Sequence, residues 1–202
     1  MQYTEKFQQD TLPERFYWFN EPGKYQTGNG LEIVTDEKTD FWQKTHYGFE
    51  RDDGHCLFMR LNEDFSLTAH AEFSPLEKYD QCGLMLRIDE ENWLKISTEY
   101  ENEKISRLGS VVTNLGYSDW ATRDIPSSQR EMWYRISKNG SDFLLENSFD
   151  GQNWQQMRIA HLHKLPEFIE AGIYACSPIG KDFHCRFTFI EISENTWGYN
   201  PE

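Results

Sequence analysis

Residues 81–100 read QCGLMLRIDEENWLKISTEY. Written as two strands, the stretch sorts its side chains by alternation, because successive residues of a strand point to opposite faces. In the first half Leu84 and Leu86 share one face, with Gln81, Gly83, Met85 and Arg87 on the other. In the second half Leu94, Ile96 and Thr98 oppose Trp93, Lys95, Ser97 and Glu99. Bringing the two apolar faces together sets Gln81, Gly83, Met85 and Arg87 beside Trp93 and Lys95, and a slip of one residue would reverse the whole arrangement. One face is ordinary core. The other carries an indole, an ammonium, a hydroxyl and a carboxylate on a single surface.

The same strand signature recurs along the chain. HCLFMRL, FSLTAHAEF, ISRLGSVVTN, EMWYRISKNG, DFLLENSF, NWQQMRIAH, AGIYACS and CRFTFIEIS are short runs rich in β-branched and aromatic residues, punctuated by Asn, Gly, Asp and Pro. About ten strands at this spacing describe a sandwich or a barrel. FSLTAHAEF reads as an outer strand, with Ser66, Thr68, His70 and Glu72 on its wet face. EYENEKIS reads as a tight hairpin. Asn139-Gly140 signals a type I′ turn and Asp150-Gly151 a second turn, so residues 131–160 should form a three-stranded meander. GYSDW (116–120) looks like a turn, and HLHKLPEF (161–168) a short helical turn limited by Pro166. SFDGQNW (148–154) resembles an Asp-box-like turn over which Trp154 packs. The chain shows no repeat, low-complexity segment or linker, so one domain spanning 1–202 is expected.

Composition narrows the partners. The 202-residue chain has a formal net charge of −14, and nucleic acid and anionic membranes are therefore not expected partners, since their binding rests on Lys and Arg neutralising phosphate. A neutral ligand is not disfavoured. Seven Trp and 15% aromatic residues argue for a packed core. The N-terminus shows no apolar signal region, and no run approaches the ~18 apolar residues of a membrane span. Cys56, Cys82, Cys176 and Cys185 lack CxxC spacing and sit beside apolar runs, which suits reduced thiols in a cytoplasmic protein. The six His form no metal-ligand pattern, and P-loop, GxSxG and GxGxxG motifs are absent. Neither a metal nor a cofactor is expected.

TDFWQKTHYGF (39–49), YDQCGLMLRIDEENWLKISTEYEN (79–102), SRLGSVVTNLGYSDW (106–120) and YACSP (174–178) together resemble a family of uncharacterised bacterial and fungal proteins, one fungal branch of which is named for regulation of enolase. The similarity covers nearly the whole chain. It implies an all-β, concanavalin-A-like jelly-roll sandwich of two curved antiparallel sheets. Lectins and glucanases of that fold bind sugars on the concave sheet or at its rim, an analogy at the level of fold.

Several constellations then compete. Glu99, Glu101 and Glu103 have the i, i+2, i+4 spacing of a glucanase-like set, but the hairpin after Tyr100 should leave Glu101 and Glu103 as solvated loop acids. Glu146 is another sheet-face carboxylate. The better candidate is the face with Trp93, Lys95, Ser97 and Glu99, joined by Arg87, which can bridge Glu99 or touch a ligand. Such a face offers an aromatic platform and convergent polar groups, as a sugar site requires. Along one strand Lys95 and Glu99 lie ~13 Å apart, too far for a close pair. His46 and Trp120 are carried as further ligand-binding candidates, beside Trp42 and Tyr47 in the first case and Tyr117 in the second. The expected function is binding of a carbohydrate or small molecule on the concave face. The alternatives are a glycoside hydrolase or lyase with Glu99 as catalytic acid, and a protein-interaction or regulatory module.

Overall fold

The alternation along 81–100 folds into two antiparallel neighbours, β9 (Gln81–Asp89) and β10 (Asn92–Tyr100). Their register sets Arg87 opposite Trp93, Met85 opposite Lys95, Gly83 opposite Ser97 and Gln81 opposite Glu99. The computed structural model describes residues 2–198, all-β and without a helix among them.

Two large antiparallel sheets are stacked. One sheet runs in the order β12 (Tyr117–Pro126), β11 (Ile105–Asn114), β10, β9, β16 (Ile169–Cys176), β7 (His55–Leu61) and β2 (Tyr17–Phe19). The other runs β15 (Gln155–His161), β14 (Asp142–Ser148), β13 (Glu131–Asn139), β8 (Phe65–Ser74), β17 (His184–Glu194), β4 (Leu31–Val34) and β3 (Lys24–Gln26), with β1 (Tyr3–Glu5) also on β17. A two-stranded hairpin, β5 (Phe41–Gln43) and β6 (Glu50–Asp52), stands apart from both. The arrangement is a jelly-roll sandwich.

The core lies between the sheets. Leu84, Leu86, Leu94 and Ile96 meet Leu67, Ala69, Tyr134, Ile136 and Ile190 there. The one hydroxyl among these side chains is satisfied across the gap: Tyr134 Oη donates to Thr98 Oγ1 at 2.8 Å and accepts from the Thr98 amide at 2.9 Å. An unpaired hydroxyl in that place would cost about 1–3 kcal/mol.

Several local expectations need correction. There are more strands than about ten, because the first 52 residues add short ones whose three- and four-residue runs carry too little periodicity to read. The meander β13–β14–β15 forms, but its first turn is Gly140-Ser141, with Asn139 paired to Asp142. Gly140 has φ +58° and neither neighbour is positive, which is the type II′ pattern, not type I′. The turn expected at 116–120 falls at Leu115-Gly116, and Tyr117 already opens β12. Residues 162–168 contain no helical turn. β8 lies inside its sheet, and the imidazole of His70 is buried against the Trp133 ring at 3.8 Å. At Asp150-Gly151 the ring against the glycine is that of Trp133, and Trp154 carries the Arg135 guanidinium instead, 4.0 Å above it.

Candidate functional site

The outer face of the seven-stranded sheet is covered. Hairpin β5–β6 lies over it and drives Phe41 down onto Trp93 and Tyr174, edge to face, at ring distances of 6.2 and 6.1 Å. Phe41, Phe58, Met85, Trp93 and Tyr174 form a second, smaller apolar cluster beneath the hairpin. Gly54 permits this approach, because a Cβ there would stand 2.2 Å from the Phe41 ring. The hairpin is tied down at both ends. Its root exchanges hydrogen bonds between Thr39 and Ser177, and the amide of Gln43 donates to Ser118 Oγ at 2.9 Å.

Where the hairpin stops, a cavity of about 540 Å³ opens on the sheet. Lys95, Gln81 and Glu99 form its floor, Asp40 and Arg51 come from the hairpin, and Trp42, Tyr47, Phe49, Tyr79 and Trp120 supply aromatic walls. This is the usual composition of a small-ligand site, apolar walls with a few convergent polar groups.

Gln81 organises the floor. Its Oε1 accepts from Lys95 Nζ at 3.0 Å and from Tyr174 Oη at 2.9 Å. Its Nε2 donates to Glu99 Oε2 at 2.8 Å and to the Tyr79 carbonyl at 3.1 Å. Lys95 and Glu99, too far apart on one strand to touch, are thus joined through the residue directly opposite Glu99. Lys95 Nζ also donates to the Phe41 carbonyl at 3.2 Å and stands 4.0 Å from Asp40 Oδ1. Both carboxyls are pushed up by burial. Asp40 is raised, with Lys95 opposing the shift. Glu99 is raised to about 8, burial outweighing the Lys95 ammonium. At neutral pH Glu99 is therefore mostly a neutral acid. Its Oε1 is buried without a hydrogen-bond partner, although Glu99 lines the cavity. An orphaned buried oxygen of this kind costs stability and calls for a reason.

The sequence-nominated residues fall in different places. Lys95, Glu99 and Trp120 line the cavity. Ser97 lies between Gly83 and Gly109 on the same face and is buried. Trp93 is on the expected face but is 0% exposed, covered by Phe41, with its Nε1 donating to the Glu90 carbonyl. It supports the hairpin and offers no platform to a ligand. Arg87 does not reach Glu99. Its guanidinium lies 2.6 Å from Asp52 and 3.6 Å from Glu170, over the Phe19 ring, toward the opposite end of β9 from Gln81. His46 sits at the hairpin tip and lines a neighbouring groove. Of the other acids, Glu101 is held by Lys78 and Arg107, and Glu146 is on the other sheet with Arg135. Gln81, Tyr79, Trp42, Tyr47, Phe49 and Asp40 were not nominated. Gln81 was readable from the register. The hairpin residues carried no signal of what they cover.

Comparison with known proteins agrees with this architecture. Regulation of enolase protein 1 of Saccharomyces cerevisiae is 35% identical over 162 residues, 80% of each chain. The crystal structure of a functionally unknown protein from Saccharomyces cerevisiae superposes with a TM-score of 0.76 at 32% identity, covering 89% of this chain and 94% of that one. A xylan beta-1,4-xylosidase from Bacillus halodurans shares the fold, with a TM-score of 0.74 at 13% identity over 95% of this chain and 39% of the enzyme. The family model described as a protein of unknown function, DUF1349, matches residues 18–195, and the chain belongs to that family.

Proposed function

We propose that the protein binds a neutral carbohydrate in the cavity between the hairpin and the seven-stranded sheet. The observation that carries this reading is Glu99, whose Oε1 is buried, unpartnered and on the lining of an aromatic-walled cavity. A sugar matches both halves of the site. Its C–H faces lie against Trp42, Tyr47 or Trp120, and a ring or hydroxyl oxygen accepts the Glu99 proton. Lys95 is largely occupied by Phe41 and Gln81 and balanced by Asp40, and Arg51, the other cation of the lining, is paired with Asp53, so neither is left to select an anion. Glycoside-hydrolase neighbours such as the xylosidase support the reading at the level of fold. The four buried free thiols suit a reducing, cytoplasmic setting.

The test is a thermal-shift screen of neutral saccharides and metabolites against the wild type and Glu99→Leu. Saccharides should raise the wild-type midpoint, and the variant should stay folded and lose about 1–3 kcal/mol of binding, the cost of leaving a ligand oxygen unpaired. Failure of every saccharide, or equal binding by both proteins, would remove the reading.

A second reading rests on the same acid. A protonated Glu99 facing a cavity, with Asp40 nearby, is the equipment of a general acid with a second carboxylate. Release of reducing sugar by the wild type but not by Glu99→Leu would turn the binding site into a hydrolase. The name of the yeast relative favours an interaction module, for which Tyr47, Phe49 and Ile179 form an exposed apolar rim.

A further inference from the structure

Resting on the carbohydrate reading, we infer that the site takes a chain of sugars, with a further subsite in the groove beyond the Tyr47 loop. That groove, about 730 Å³, runs along β12 and β15 and shares Trp42, Tyr47 and Trp120 with the Glu99 cavity. The two spaces are therefore separated only by a shared aromatic wall, and an occupant of the first that grows past Tyr47 enters the second.

The wall is held in an unusual way. The amide of Thr45 donates to the Gln43 carbonyl at 2.6 Å and that of Tyr47 to the Thr45 carbonyl at 2.7 Å. The residues between, Lys44 and His46, have φ of +54° and +63°. These are two three-residue turns with positive φ at the centre, the rare and strained form. Strain persists only where the surroundings impose it, and it concentrates at ligand clamps. Here it projects Tyr47, 55% exposed, with its ring edge-on to Trp42 at 5.4 Å. Beyond it the groove offers Tyr117 at 63% exposure and Ile159 at 56%.

The chemistry of the groove points to an uncharged, hydroxylated chain. Its cationic side chain Arg158 is 2.9 Å from Asp119, and His161 is 2.7 Å from Asp142. Neither is left to seek an anion. What remains is aromatic surface beside the His46 imidazole and hydroxyl, carboxylate and amide groups, which suits the alternating C–H and O–H faces of a saccharide. A flat apolar partner would leave those polar groups desolvated and poorly paired.

The experiment measures affinities for cello- and xylo-oligosaccharides of one to six rings, on the wild type and Tyr117→Ala. In the wild type the affinity should rise roughly five- to tenfold from one ring to four, the contribution of one added aromatic contact. Tyr117→Ala should bring the four-ring to one-ring ratio close to one. Equal affinity for one and six rings, or an unchanged ratio in the variant, would overturn the subsite and leave the Glu99 cavity standing. No binding by any member would remove the subsite and the carbohydrate reading together.

Discussion

Glu99 shows how one residue can be set against its own ionisation. Alternation along β10 turns it outward, yet the hairpin and Tyr79 enclose it, and the nearest ammonium is shared with Gln81 and Asp40. Its carboxyl therefore holds a proton to about pH 8, where an unfolded chain releases it near the usual 4.5. From pH 4.5 to pH 8 the native state binds more protons than the unfolded state, so this residue makes stability fall as pH rises. Glutamine copies the neutral acid in shape and lacks the titration. Glu99→Gln should match the wild type near pH 4.5 and exceed it by about 3 kcal/mol at pH 7. Urea unfolding of both proteins across that range checks this, and parallel curves would contradict it. Alternation told which way Glu99 points, but not that it is enclosed, because the enclosing residues lie some fifty positions earlier in the chain.

The element that decides the site is the hairpin β5–β6. Its two three-residue strands are too short to announce themselves, and its tip is built from non-glycine residues at positive φ that no turn signal would mark. Nothing in the local pattern of TDFWQKTHYGF marks the long-range contact of Phe41 with Trp93, which makes that indole a support for the hairpin and not a platform for a ligand. Trp133, on the polar-side face of β13, and Trp154, just before β15, are by contrast half-exposed on the outer face of the other sheet. Trp93→Ala should therefore cost about 3–5 kcal/mol, as emptying a buried aromatic site does, and Trp154→Ala much less. Equilibrium unfolding of the two variants decides it, and the reverse order would mean the hairpin does not rest on Trp93.

At the scale of the whole molecule, the strands from His55 onward were legible because their alternation is long and their faces unambiguous. The resemblance of the family segments supplied the sandwich, and no helix of the described residues is long and apolar enough to cross a membrane. Both sheets expose aromatic surface: the seven-stranded sheet in the walled cavity and its adjoining groove, the eight-stranded sheet in a groove at Trp133 and Trp154. Only the first joins aromatic walls to a buried acid with an unpaired oxygen. A crystal structure of the protein with a bound oligosaccharide discriminates them directly. The account predicts one sugar ring against Trp42 or Trp120 with an oxygen within hydrogen-bond distance of Glu99 Oε1, and the chain continuing past Tyr47. A saccharide seated over Trp133 and Trp154, with the Glu99 cavity empty, would contradict it.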